Sequence, residues 1–135
     1  MEIRRATNPS IIKHIRHLFT EDGAFTRDII AKELFEIMAA TPDEIFVVII
    51  FEKDEILGFA IAWVQDNREF AWLAQAYSKP GCDRRQGQAA ISLIKQWAVN
   101  EHGIHEIRFE TNRNVKAIER VWGFKSHAVI MNCKF

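Results

Sequence analysis

Residues 84–89 read Arg84-Arg85-Gln86-Gly87-Gln88-Ala89. They stand between an apolar run ending at Tyr77 and a segment whose apolar residues Ala90, Leu93, Ile94, Trp97 and Ala98 recur at helical spacing. The stretch therefore opens an amphipathic helix behind a strand. Small residues at positions 87 and 89 let a backbone approach a bulky anion, and a helix start offers free N–H groups and the positive end of the dipole. Arg84 and Arg85 add cationic hydrogen bonds. The chemistry that suits this pattern is an anion held at a helix N-terminus.

Downstream, Gly103 ends the helix. His105 to Thr111 alternates Ile107 and Phe109 against Arg108 and Glu110, which predicts a strand. Val115, Ile118 and Val121 predict a short fourth helix closed by Gly123, and Val129, Met131, Cys133 and Phe135 alternate in a closing strand. Upstream, Ser78 to Gln86 is a polar loop with Pro80 and Gly81. Glu69 to Tyr77 is apolar on both faces, as in a central strand covered on both sides. Asp66-Asn67 is a turn, and Ile45 to Phe51 and Ile56 to Val64 flank the tight polar turn Glu52 to Glu55 as a hairpin. Glu2 to Ala6 is a short strand. Asn8-Pro9-Ser10 starts a helix carrying Ile11, Ile12, Ile15, Leu18 and Phe19, and Ile30, Leu34, Ile37 and Met38 mark a second helix after the loop Glu21 to Phe25. The strand, helix, strand passage around residues 84–89 implies a right-handed crossover between parallel neighbours, whereas the hairpins are antiparallel. The sheet is mixed.

Length and composition fit this reading. A chain of 135 residues suits one core, with 48% apolar and 27% charged residues as in an ordinary soluble globular protein. The formal net charge is zero, so no global field draws nucleic acid or an anionic membrane, and neither is expected as a partner. The N-terminus MEIRRATNPS has no apolar signal segment, and no run approaches the ~20 apolar residues that span a bilayer, so the expected location is cytoplasmic. Cys82 and Cys133 form neither a metal spacing nor a disulfide framework and are expected as reduced thiols.

With its order of elements, Arg84 to Ala89 resembles the signature R/Q-x-x-G-x-G/A of the GNAT superfamily of acyl-CoA-dependent N-acyltransferases. The likeness extends over nearly the whole chain: a buried strand before the signature, an amphipathic helix on it, then a strand, Asn112 and the pair Gly123-Phe124. The resemblance implies a GNAT-like α/β domain over residues 1–135, with a mixed, mostly antiparallel sheet, one parallel strand pair and helices on both faces. It implies an enzyme moving an acetyl or other short acyl group from acetyl-CoA, a cosubstrate, to an amine acceptor by direct attack in a ternary complex. The cofactor-binding residues would be Arg84, Arg85, Gln86, Gly87, Gln88 and Ala89 at the pyrophosphate. Gln75, Ala76 and Tyr77 would lie along the strand edge that pairs with the pantetheine arm. Asn112 either binds the pantetheine or orients the thioester, or is a turn or helix-capping residue.

The chain departs from the family in three places. The loop before Arg84 is one residue longer than usual, judged from Pro80. Where the fourth helix of the family carries a tyrosine that protonates the departing thiolate, this chain has Glu119, and its single tyrosine is Tyr77. Glu119 serves as that acid only if burial raises its pKa; Lys116 and Arg120 act the other way and would leave it a surface residue. Finally, about ten residues follow Phe124, where the family has a two-stranded hairpin beside the acceptor site, so a second subunit of a homodimer would supply part of that wall. A catalytically silent protein on the same fold, structural or regulatory, is the alternative, and small phage-encoded GNAT-like proteins look similarly reduced.

Other residues carry weaker signals. Glu110 is the candidate general base, with Glu69 as a second, and both read equally as solvated strand-end carboxylates. Glu21 and Asp22 would attract a cationic amine or simply be solvated. His14 and His17 lie one turn apart, but no third ligand follows, so no metal is expected. Trp63, Trp72, Trp97 and Trp122 are core residues by default, with an acceptor-pocket role open to one of them.

Overall fold

Ile45-Phe46-Val47-Val48-Ile49-Ile50 is apolar at every position, so a strand here needs cover on both sides. The structure is a computed structural model describing residues 2–21, 25–64, 69–110, 125–127 and 130–135. In it this run is strand β2 (Ile45–Glu52). Ile45, Val47 and Ile49 pack with Ile12, Ile15, Phe19, Leu34 and Met38 on one side. Phe46, Val48 and Ile50 pack with Ala90, Ile94 and Trp97 on the other. Each such side chain contributes about 1.5–3 kcal/mol on full burial, so this strand joins two helical layers into one core.

The elements run β1 (Glu2–Ala6), α1 (Ile11–Ile15) with a 3-10 turn at Arg16–Leu18, α2 (Arg27–Ala40), β2, β3 (Glu55–Val64), β4 (Ala71–Ser78), α3 (Arg84–His102), β5 (Glu106–Glu110), β6 (Lys125–His127) and β7 (Ile130–Lys134). The sheet order is β1-β2-β3-β4-β5-β7-β6, which puts β4 at the centre. The pair β4–β5 is parallel, and the other pairs are antiparallel. Helices α1 and α2 cover one face and α3 the other, so the mixed α/β architecture expected from the sequence is the one observed. Among the described residues no helix is long and apolar enough to cross a membrane.

Local chemistry explains the boundaries. At α1, Asn8 Oδ1 accepts from Ser10 N–H at 3.0 Å. At α2, Thr26 Oγ1 accepts from Ile29 N–H at 3.3 Å. Helix α3 closes on Gly103, left-handed at φ 64°, while Ile104 N–H bonds Ala98 O at 3.0 Å.

Two sequence expectations need correction. Helix α3 begins at Arg84, as the reading of Arg84 to Ala89 as a helix start expects, so the polar loop from Ser78 ends at Asp83 and not at Gln86. Asp83, acting as N-cap, sets that boundary earlier. The tail, moreover, does form a hairpin: β6 pairs with β7, Ser126 opposite Met131, and β7 inserts beside β5. Short strands suffice for it. The turn at Asp66-Asn67 and the fourth helix expected over 115–121 lie outside the described residues.

Candidate functional site

Parallel strands β4 and β5 pair at Ala71↔Ile107 and Trp72↔Arg108. Past that point the ladder of β4 runs to β3 through Gln75↔Ile61, Ala76↔Ala60 and Tyr77↔Phe59, and that of β5 runs to β7 through Phe109↔Met131 and Glu110↔Ile130. Among the described residues the parallel ladder of β4 with β5 goes no further than Trp72↔Arg108. A bulge in β4 follows the end of that ladder, because Ile61 and Ala62 of β3 face Gln75 and Leu73, leaving Ala74 as the extra residue. A bulge bends its strand and increases the twist.

Each of the three β4 residues is held differently. The Gln75 side chain is buried at 7% exposure and binds the backbone of Thr20 twice: Oε1 accepts from Thr20 N–H at 2.8 Å, and Nε2 donates to Thr20 O at 3.2 Å. Ala76 is buried against the α3 side. The Tyr77 ring stacks on buried Phe59 at 5.8 Å between centroids. Gly58 lets β3 approach this end of β4, since a Cβ there would lie 2.8 Å from Tyr77 O.

Strand β4 leads into α3 through a turn in which Cys82 N–H bonds Lys79 O at 2.9 Å. Pro80 sits at its second position and Gly81, at φ 98°, at its third, the combination a type II turn requires. Asp83 then makes a capping box with Gln86: its Oδ1 accepts from Gln86 N–H at 3.1 Å, and Gln86 Oε1 accepts from Asp83 N–H at 3.2 Å. Gln86 and Gly87 are buried while Arg84, Arg85, Gln88 and Ala89 are exposed. Two guanidinium groups and the first-turn N–H groups of Arg84 and Arg85 thus face solvent beside one carboxylate. This end of α3 fits a polyanion, with Gln86 serving the cap. Cys82 donates its thiol to Gln86 Oε1. Burial pushes the Cys82 thiol above its ordinary pKa; a hydrogen bond with Ser78 opposes this, and the nearby Asp83 charge adds to it.

Candidate acids and bases separate. Extending the parallel register from Ala71↔Ile107 places Glu110 level with Ala74, at the mouth between the strands, and Glu69 level with His105, at the closed end. Asn112, Glu119, Asp22, Trp122 and the Gly123-Phe124 pair lie outside the described residues. Glu21 pairs with Arg27 at 2.8 Å. Trp97 is a core residue against Phe46, Trp72 meets Phe70 edge-on, and half-buried Trp63 lines a cavity beside α2. His14 and His17 are exposed, and no group of three or more potential metal-ligating side chains gathers among the described residues. The sequence reading missed Asp83, although Asp followed three residues later by Gln is a capping-box signature. It also missed the Gln75–Thr20 link, which no local pattern announces.

The sequence profile of the Acetyltransferase (GNAT) family matches residues 12–124. No curated protein matches the chain significantly. Among solved structures, the chain is similar to a GNAT-family protein from Desulfovibrio desulfuricans, with a TM-score of 0.73 and 16% identity over 98% of each chain. It is also similar to the PaiA N-acetyltransferase of Thermoplasma acidophilum in complex with coenzyme A, with a TM-score of 0.69 and 15% identity over 100% of each chain. An aminoglycoside 6'-N-acetyltransferase from Acinetobacter haemolyticus aligns with a TM-score of 0.62 and 17% identity, over 93% of this chain and 92% of its own. At these identities the likeness is one of fold.

Proposed function

The chain belongs to the GNAT acetyltransferase family, and from that premise we propose that it transfers an acetyl or other short acyl group from acetyl-CoA to an amine. The observation that carries this reading is the short parallel ladder of β4 with β5, which among the described residues ends at Trp72↔Arg108, beside the N-terminus of α3. The opened edge of β4 suits an extended amide-bearing arm, and the helix start suits a pyrophosphate. Both lie on consecutive elements.

In this reading Arg84, Arg85 and their backbone N–H groups hold the pyrophosphate, and Gly87 and Ala89 keep the approach free of bulk. The backbone of Gln75, Ala76 and Tyr77 aligns the pantetheine arm, with Asn112 assisting. Acetyl-CoA supplies the thioester: the amine nitrogen bonds to its carbonyl carbon, the C–S bond breaks and sulfur leaves with the electron pair. An acceptor that arrives as an ammonium first gives a proton to Glu110 or water, a second proton leaves the nitrogen for water once the N–C bond has formed, and the thiolate takes one from Glu119, Tyr77 or water. Backbone N–H groups at the β4 bulge steady the charge on the carbonyl oxygen.

The test is titration with acetyl-CoA, which stabilises the fold by about 2.7 kcal/mol at a hundredfold excess over its Kd. Gly87→Glu places bulk and negative charge at the pyrophosphate position and abolishes that shift. A wild-type protein indifferent to millimolar acetyl-CoA overturns the reading. A catalytically silent protein on the same fold is the second reading, supported by the replacement of the family's tyrosine by Glu119 and by the Asp83 carboxylate at the anion end of α3. Binding of acetyl-CoA without product across a panel of amines would favour it.

A further inference from the structure

A cavity of about 240 Å³ opens between α2 and strands β3 and β4. Its walls are mostly apolar, with Phe25, Leu34 and Trp63 among them, and Ala74 and Gln75 reach it from the bulge of β4. Phe25 is 55% exposed at this cavity, an aromatic surface available to cover a ligand. The polar atoms of Gln75 are engaged by Thr20, which leaves Glu33 as the one carboxylate among the described lining residues.

We infer that this cavity is the acceptor pocket and takes a primary amine carried on a small apolar or aromatic body, with a single positive charge. The inference rests on the acyl-transfer reading and names its acceptor class. Three observations lead to it. The cavity meets β4 at Ala74, next to the edge Gln75 to Tyr77 where the thioester is placed, and on the face opposite α3. An amine lodged there reaches the thioester from the side that the pyrophosphate leaves free. Second, the volume lies below the ~300–1,000 Å³ of pockets that enclose drug-sized ligands, so the body is small. Third, one carboxylate and one indole suit one ammonium, by charge pairing and cation–π contact. A polyamine or an aminoglycoside would bring further charges and hydroxyls against the apolar side chains that prevail among the described lining residues, at a desolvation cost.

The experiment is isothermal titration of the full chain with 2-phenylethylamine, spermidine and kanamycin, each with and without coenzyme A. It is run on wild type, Glu33→Gln, Trp63→Ala and Gly87→Glu. Phenylethylamine is expected to bind at least about tenfold tighter than either polycation, and Glu33→Gln to weaken it about tenfold while leaving acetyl-CoA affinity unchanged. Glu33 is exposed on α2, so that variant folds even if Trp63→Ala does not. Equal or tighter binding of spermidine, no heat with phenylethylamine while acetyl-CoA binds, or an unchanged Kd in Glu33→Gln overturns the inference and leaves acyl transfer standing. Phenylethylamine bound normally by Gly87→Glu, which has lost acetyl-CoA, supports an independent amine pocket. Amine binding by a wild type indifferent to acetyl-CoA upholds the pocket and sinks the transfer.

Discussion

Gln75 and Thr20 stand 55 residues apart, yet the amide of Gln75 closes on the backbone N–H and C=O of Thr20 with two hydrogen bonds. One buried side chain thereby ties the bulge of β4 to the segment linking α1 and α2, across the mouth of the proposed site. Replacing Gln75 with Leu keeps most of the volume and leaves two part-buried backbone groups without their partners. The expected loss is about 1–3 kcal/mol in denaturant unfolding, with a larger relative loss in acceptor binding than in acetyl-CoA binding. A stability within ~0.5 kcal/mol of wild type would mean that the link contributes nothing.

Gly58 is required by proximity. Its Cβ position lies 2.8 Å from Tyr77 O, a backbone atom that no rotamer change can move aside. Gly58→Ala therefore displaces the end of β4, and about 1–3 kcal/mol of stability goes with it. The same shift disturbs the edge proposed to bind pantetheine, so acetyl-CoA affinity falls several-fold. Loss of stability with unchanged affinity would detach Tyr77 from the cofactor.

Asp83 serves the helix and opposes the anion. Its carboxylate caps Gln86 N–H at 3.1 Å, one of the donors a phosphate would also seek. Asn caps about as well as Asp, so Asp83→Asn holds stability within a few tenths of a kcal/mol while acetyl-CoA binding tightens, most at low salt. A second readout is Cys82. Burial is the main reason its thiol titrates high, and the Asp83 charge adds to it. Removing the charge lowers the thiol pKa, increases the thiolate fraction at pH 8.5, and speeds alkylation by iodoacetamide. Bound acetyl-CoA should slow that reaction in both proteins, and weaker binding in Asp83→Asn would refute the electrostatic account.

Glu119 is the proposed acid for the departing thiolate. General acid catalysis is worth about 10²–10⁴-fold. If Glu119 is the acid, Glu119→Gln lowers the single-turnover rate on an accepted amine by at least about 100-fold at saturating acetyl-CoA, without changing cofactor affinity. A loss under about threefold leaves water or Tyr77 in that role.

Much of this protein was legible in the sequence because the signals are local. Period-two alternation announced β5 and the closing strand β7, apolar runs announced β2 and the central β4, and helical spacing announced α2 and α3. Gly103 as the stop of α3 and the small residues of Arg84 to Ala89 follow from backbone sterics and the free N–H groups of a helix start. Both are properties of a few neighbouring residues.

What tertiary structure alone decided is long-range. Nothing in Ala74 marks it as a bulge; that follows from the register of β3 against β4, in which Ile61 meets Gln75 and Ala62 meets Leu73. Alternation announced β7, but its partner β6 hid, because a strand of three residues forms only by pairing with β7. Gln75 reads as a polar interruption of an apolar strand until Thr20 folds against it. The cavity between α2 and the bulge likewise depends on how a helix packs on a sheet. Strand identity and helix caps depend on interactions within a few residues, which the sequence spells out. The site arises where chain segments tens of residues apart meet, and only packing the whole core sets that geometry.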